Sequence, residues 1–371
     1  MSLAQAQDTA LEEIVDRIRE ASARGTLLRI RGGGSKDFYG EWLQGELLET
    51  HGLDGIVSYE PSELVVTARA GMPLVELEAV LAERGQCLPF DAPHFGGGAT
   101  VGGMVASGLS GPARASVGSV RDYVLGLTLV NGRAETMIFG GQVMKNVAGY
   151  DVSRLMAGAL GTLGLIVEVS LKVLPIAPAE ATLKFEMTAA EAIRQLNSWG
   201  GKPLPLNASC WVNEDGVPAL YLRLRGAVAA VEAACRTLGG ERLDNATMAR
   251  EWLRCRDQQL PWFAERGERD LWRVSVAQTT PPMDLPEDPM IEWHGALRWV
   301  RAPRSEAAAV REAARAAGGH ATLFRAGGAE DDAPLPQRFE RLAPPLEHIH
   351  RELKRQFDPA GIFNNGRLYD F

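Results

Sequence analysis

The chain has 371 residues, 46% hydrophobic and 23% charged, with a formal net charge of −8. That length exceeds one ordinary domain and the balance is globular, so two domains and a sizeable core are expected. The acidic surface excludes a sequence-independent nucleic-acid binder, which needs a basic face to displace counterions from phosphates. Cys87, Cys210, Cys235 and Cys255 form no C-x-x-C pair, so neither zinc nor an iron–sulfur cluster has its usual ligand spacing. Residues 1–10 lack a basic segment followed by an apolar run, and no stretch of uncharged apolar residues reaches membrane-spanning length. A cytoplasmic protein with reduced thiols is expected.

In chain order, Leu11, Ile14, Val15 and Ile18 fall at helical spacing behind Thr9 and Glu12, which are spaced as a capping box, so the chain opens with an amphipathic helix. Residues 27–30 read as a strand running into Arg31-Gly32-Gly33-Gly34-Ser35-Lys36. A second strand at 64–67 precedes a helix at 73–84, with Pro73 in its first turn and Gly85 just past its end. This alternation is α/β in character. Residues 124–130 and 135–139 are strand-like and joined through Asn131-Gly132, the signal of a tight hairpin. A further strand at 166–174 ends in Pro175-Ile176-Ala177-Pro178, where the domain boundary is placed. Beyond it, strand 182–187, helix 189–199, strands 208–212 and 219–225 and helix 228–238 follow the order of a ferredoxin-like α+β unit. Strand-like pieces at 271–276, 291–300 and 321–325, an alanine-rich helix at 305–317, an acidic loop at 329–336 and a final helix at 346–357 complete the reading.

Sixteen of the 40 glycines fall within residues 96–164, a concentration that needs a cause. A diphosphate needs backbone N–H donors at close approach, and glycine allows both the approach and positive φ. Each glycine inside an element costs roughly 0.5–1 kcal/mol relative to alanine, whereas a hydrogen bond to a charged group returns about 1.5–3 kcal/mol. The first run, 31–36, is as readily an ordinary turn. A second run, Gly96-Gly97-Gly98-Ala99-Thr100-Val101-Gly102-Gly103, is followed by Met104-Val105-Ala106-Ser107-Gly108, whose small residues suit a helix start against a ligand. Two such loops favour a long, two-part ligand. Neither G-x-G-x-x-G nor G-x-x-x-x-G-K-[ST] occurs, so NAD-type and nucleotide-hydrolysing readings lose ground.

Pro89-Phe90-Asp91, Ala99-Thr100-Val101-Gly102-Gly103, Ser107-Gly108, Gly118-Ser119-Val120-Arg121-Asp122, Lys145-Asn146-Val147-Ala148-Gly149-Tyr150-Asp151 and Gly161-Thr162-Leu163-Gly164 follow one another between residues 27 and 174. In that order and spacing they resemble the vanillyl-alcohol-oxidase (PCMH-type) FAD domain. The run from Arg29 to Gly40 and the run from Phe357 to Arg367 are similar to the E-subunit branch of the bacterial glycolate oxidase family, so the resemblance spans the chain. It implies an α+β fold. A PCMH-type FAD-binding domain of two α/β subdomains would cover residues 1–174 and a ferredoxin-like α+β cap 175–344, with a helix and tail at 345–371 returning to the FAD domain.

The resemblance further implies that Arg31, Gly32, Gly33, Gly34, Ser35, Lys36, Thr100, Val101, Gly102 and Gly103 hold the pyrophosphate, with Ser107 and Gly108 beside it. Pro89, Asp91, Gly118, Ser119 and Asn146 join the cofactor-binding set, and Gly149, Tyr150, Leu163, Gly164 and Ile166 line the flavin and adenosine channel. Relatives with a covalent flavin carry a histidine after the first glycines; Gly34-Ser35 stands there instead, so noncovalent FAD is expected. Asn365 replaces the proline of the family's Asn-Pro-Gly turn.

Flavin oxidation of a 2-hydroxy acid needs a cation for the carboxylate, a base for the hydroxyl proton and the flavin to take the hydride. Arg298, Arg301 and Arg325 are candidates for the first role, although arginines are more often surface or structural. His294 and His320 are candidates for the second, since histidine titrates near neutrality. Only Trp293-His294-Gly295 echoes the histidine-rich H-x-G-D-G-N-x-H motif of the superfamily's hydroxy-acid dehydrogenases. His348 and His350, two apart on a helix, are a poor metal pair, and no metal is expected. The resemblance implies an FAD-binding subunit acting on glycolate or D-lactate, partnered by a paralogous FAD-containing catalytic subunit and an iron–sulfur subunit, with peripheral placement at the inner membrane open through that complex. A self-sufficient FAD-dependent D-2-hydroxy-acid dehydrogenase and a non-catalytic scaffold with a vestigial FAD site stay open as alternatives.

Overall fold

Ile14, Ile18 and Ala21 recur at helical spacing and are buried on helix α1 (Leu3–Arg24). The helix begins well before Thr9, so the expected capping box lies inside it; the preceding alanines, leucine and glutamines are strong helix formers and extend the turn N-terminally. The structure, a computed structural model, describes residues 3–141, 150–214, 216–328 and 335–371. By internal contacts the chain forms two compact units: Met1–Leu109 with Ser119–Ile176 and Arg341–Phe371, and Ser110–Gly118 with Ala177–Glu340.

In the first unit, β1 (Leu28–Arg31) pairs in parallel with β2 (Glu46–Glu49). A second, five-stranded sheet is antiparallel throughout. It contains β3 (Ile56–Glu60), β4 (Val65–Arg69), β5 (Val124–Val130), β6 (Thr136–Gly140) and β7 (Leu165–Lys172), in the order β3-β4-β7-β5-β6. Helix α2 (Leu74–Glu83) and helix α3 (Val101–Ser107) lie between β4 and β5 in sequence; these two strands do not pair with each other, and each pairs antiparallel with β7 between them. Buried residues of α1, Leu28, Leu48, Val130, Leu165, Ile362 and Phe363 make one core cluster.

β5 and β6 do form a hairpin, but not through a two-residue Asn-Gly turn. The Asn131 amide donates to the Glu135 carbonyl, and Ala134, not Gly132, takes the left-handed conformation (φ 59°). Gly132 is required by a distant neighbour instead. Its amide donates to the Phe357 carbonyl at 2.8 Å, and a Cβ there would stand 2.8 Å from the Asp358 Cα.

The second unit begins with β8 (Ala179–Glu186), α4 (Ala189–Gly200), β9 (Leu206–Glu214), β10 (Val217–Gly226), α5 (Val228–Leu238) and the short β11 (Glu241–Arg242). Their sheet order β11-β8-β10-β9 is the ferredoxin-like arrangement. Helix α4 starts at a capping box, Thr188 with Glu191, and buries Ile193, Leu196 and Trp199 against Leu222 and Trp211. The sheet continues across β9 into β13 (Met290–Glu292), β14 (Leu297–Ala302), β12 (Asp270–Ser275) and β15 (His320–Arg325), giving eight strands. Helix α6 (Ala307–Ala316) covers the far half through Val310 and Ala314; α7, named last in chain order, is the first unit's Pro344–Phe357. The strand expected over 291–300 is broken: Trp293 and His294 both take positive φ (53° and 54°), so the chain turns between β13 and β14. A helix at Asn245–Arg256, capped by Asp244, was not anticipated, because its mixed charged sequence lacks a clean apolar stripe.

Gly132→Ala distinguishes the two explanations of that glycine. A plain turn would tolerate alanine, whereas the contact with Asp358 makes the variant less stable by about 1–3 kcal/mol, measurable as a lowered denaturant midpoint; an unchanged midpoint would refute the close approach.

Candidate functional site

β1 delivers the chain into the first glycine run, and α2 is followed by the second. The two runs meet backbone to backbone. A Cβ on Gly33 would overlap the Gly98 carbonyl and lie 2.9 Å from the Gly98 Cα, and one on Gly32 would strike the Thr100 side chain. Gly34 has φ 70° and lies under the guanidinium of Arg31, whose Nε donates to Asp37 Oδ2 at 2.8 Å. Among the described residues, no protein group accepts from the amides of Gly33, Gly34 or Ser35. Lys36 stands beside them, its Nζ 3.2 Å from Ser35 Oγ.

The second run is different. Val101 and Gly102 donate to the carbonyls of Met72 and Ala70 (3.0 and 2.7 Å), and Gly103 donates to the capping hydroxyl of Thr100 (3.2 Å). The amides of Val101, Gly102 and Gly103 are thus spent within the protein, and Gly102 is small because Ala70 presses on it. Where the second run lines the groove, at Thr100, Gly102 and Gly103, it shapes a wall, and the first run supplies the open donors there.

Of the expected cofactor-binding residues, Arg31, Gly32, Gly33, Gly34, Ser35, Lys36, Thr100, Gly102, Gly103, Ser107, Gly164 and Ile166 line one groove. Others lie apart from it. Val101 is buried beneath, Gly108 is the left-handed C-cap of α3, Ser119 closes a capping box with Asp122, and Leu163 lines a separate cavity with His350 and Tyr369. Pro89 and Asp91 (φ 49°) are not among the groove's lining, Gly118 clusters with the second unit, and Tyr150 is 99% exposed. Asn146 and Gly149 lie outside the described residues. Thr50, Ala70, Leu160, Asn364 and Arg367 line the groove without having been expected there. The last two sit in the C-terminal motif already singled out, in the tail expected to return to the FAD domain, but neither had been assigned to the cofactor-binding set.

In the second unit the proposed catalytic side chains do not converge. His294 is bonded at both ring nitrogens, Nε2 to Ser116 Oγ at 2.8 Å and Nδ1 to Ser209 Oγ at 3.0 Å. Burial pushes its pKa down to about 4. Arg298 is 1% exposed on β14 and donates to the Thr280 carbonyl, and burial lowers its pKa to about 10. Arg325 donates to Gln258, Arg301 is paired with Glu287 and stacked over Trp262, and His320 is exposed at the start of β15. Trp293, by contrast, is held between the guanidiniums of Arg114 and Arg273, 4.4 and 5.0 Å from its ring. A 770 Å³ cavity is lined by Cys210, Tyr221, Trp252, Cys255, Trp262 and Arg301 among others. The hydrogen-bonded Cys210 thiol and burial push the Cys255 thiol well up, so it stays protonated. Among the described residues, no three His, Cys, Asp or Glu side chains could hold a metal, and no helix is long and apolar enough to cross a membrane.

The FAD binding domain family matches residues 5–140. The glycolate oxidase subunit GlcE of Escherichia coli (strain K12) is 44% identical over 96% of this chain and 97% of its own length. The chain belongs to the glycolate oxidase E-subunit family. Part of the chain is also similar to the glycolate oxidase subunit GlcD of Bacillus subtilis (strain 168), 30% identical over 35% of this chain and 28% of that one. In fold it matches p-cresol methylhydroxylase with substrate bound, TM-score 0.71 at 14% identity over 96% of this chain and 87% of the other.

Family membership makes the chain an FAD-dependent oxidoreductase subunit of α+β fold. The groove fits that cofactor's anionic centre: amides at Gly33, Gly34 and Ser35 without a protein acceptor among the described residues, and the Lys36 ammonium beside them, on a loop that Gly32–Gly34 let pack directly against Thr100, Gly98 and Arg31. Apolar Ala70, Leu160 and Ile166 supply the remaining walls.

The state of His294 has a pH signature. An unfolded histidine takes a proton near pH 6.5, whereas the folded one stays neutral to about 4. Its contribution is full above pH 6.5 and is lost as pH falls towards 4, by up to about 3 kcal/mol. His294→Gln should flatten the fall of Tm between those pH values relative to the parent; parallel Tm–pH curves would show that another group is responsible.

Proposed function

We propose that this chain is the FAD-binding subunit of a complex that oxidises glycolate, or D-lactate, to the 2-oxo acid. FAD lies noncovalently with its diphosphate in the Gly32–Lys36 groove, a paralogous FAD-containing subunit carries substrate oxidation, and an iron–sulfur subunit accepts the electrons. The observation that carries this reading is the groove itself, with its open amides and lysine, in a chain related along its full length to a glycolate oxidase subunit.

FAD when bound supplies the hydride acceptor. The chain's own part is to hold it: the Gly33–Ser35 amides and Lys36 face the diphosphate charge, and Thr100, whose hydroxyl is committed to the Gly103 amide, keeps the opposing wall in place. Proton abstraction from substrate finds little support here. His294 has both ring nitrogens engaged and is a weak base, Arg298 donates through Nη2 to the Thr280 carbonyl while its buried Nη1 has no partner among the described residues, and Arg325 donates to Gln258. The likeness of part of the chain to a D subunit supports a paralogous partner, and the absence of C-x-x-C pairs supports an electron acceptor on another chain.

The purified protein should show flavin absorbance, and acid denaturation should release all of it; flavin retained on the precipitated polypeptide would overturn the noncovalent reading. Gly33→Ala should bind FAD at least about tenfold more weakly. Glycolate should leave the flavin of the isolated chain oxidised, yet reduce that of the copurified complex. Bleaching in the isolated chain would transfer the chemistry to this subunit.

A further inference from the structure

The C-terminal tail reaches the loop that follows the glycines. Arg367 is 6% exposed, and its guanidinium donates to the carbonyls of Lys36, Asp37, Tyr39 and Glu41. The loop closes around it: the Glu41 amide donates to the Arg367 carbonyl at 2.9 Å. Gly40 takes φ 101°, and a Cβ there would stand 2.9 Å from Arg367 Nε. The tail is anchored on the other side as well. Asn364 Oδ1 accepts from the Ile30 amide at 2.8 Å and its Nδ2 donates to the Leu160 carbonyl at 2.6 Å, while Arg367 donates its own amide to the Asn364 carbonyl.

Carbonyls turned towards a common centre repel one another unless a cation occupies it, and a guanidinium satisfies several at once because its N–H donors are fixed in one plane. The conformation of residues 36–41 therefore depends on Arg367. That conformation is transmitted directly to the open amides, since the Asp37 amide donates to the Gly34 carbonyl at 3.0 Å and the Asp37 carboxylate holds Arg31 across Gly34.

We propose that Arg367 is a positioning residue for the diphosphate loop, so that the C-terminal tail sets the affinity of the chain for FAD. This rests on the reading of the groove as the FAD site. Arg367 acts through Lys36–Glu41 and fixes where the Gly33–Ser35 amides point.

The test uses the full chain and measures FAD dissociation by flavin fluorescence, with thermal unfolding as a separate readout. Arg367→Ala should bind FAD at least about tenfold more weakly, and added ethylguanidinium should recover part of the affinity by refilling the carbonyl ring. Arg367→Lys, which keeps a charge but lacks the planar donors, should fall between Ala and the parent, and it carries the test if Arg367→Ala does not fold. Parent-like affinity in the folded variants would overturn the proposal while leaving the FAD site intact, as would weakened binding in Arg367→Ala that ethylguanidinium does not reverse. A parent protein that binds no FAD would instead overturn the reading of the groove.

Discussion

Gly33 lies against the Gly98 carbonyl with no room for one added carbon. The groove depends on this contact, because it sets how closely the two glycine runs approach. A side chain at either face would part the loops. Glycine carries an entropic cost at such positions, and that cost is offset first by packing within the protein. The glycines at 32, 33 and 102 are small because Thr100, Gly98 and Ala70 are in the way. The ligand then uses what this packing leaves open.

What it leaves open is unequal. Among the described residues, the Gly33, Gly34 and Ser35 amides of the first run have no protein acceptor, and the second run has its helical amides satisfied by Thr100, Ala70 and Met72. Backbone groups in such a groove must find partners in protein, water or ligand. The division of labour follows, with anion recognition on the first run and shape on the second. Neighbouring elements reinforce the arrangement. Phe363 extends the β1 side of the small sheet through a parallel bridge to Leu28, and Asp358 receives the amides of Ile362 and Phe363 as well as Lys354, which fixes the tail that reaches the loop.

The second unit shows the opposite economy of polar groups. Its buried histidine is satisfied twice over by serine hydroxyls, and Arg298, Arg301 and Arg273 engage a carbonyl, a carboxylate and an indole face, while the buried Arg298 Nη1 has no partner among the described residues. Buried polar groups held this way specify a packing arrangement and have little freedom to exchange protons. The strained turn at Trp293 and His294, both at positive φ, survives because Gly111, Ser116, Ser209, Arg114 and Arg273 all engage it.

Much was legible in the order of residues. The glycine runs, the ferredoxin-like succession from β8 to β11 and the amphipathic α1 and α4 are local patterns, and periodicity and turn chemistry act over a few residues, so sequence determines them directly. The motifs also carry the FAD domain family. Contacts between residues far apart in the chain were decided by tertiary structure alone. Strand direction in the five-stranded sheet, the reason for Gly132, and the exclusion of Tyr150 and Leu163 from the groove all depend on which distant backbone comes to lie alongside. The place of Arg367 is the clearest case: its partners lie some 330 residues earlier in the chain, and no spacing rule connects a guanidinium to carbonyls that only the fold brings together.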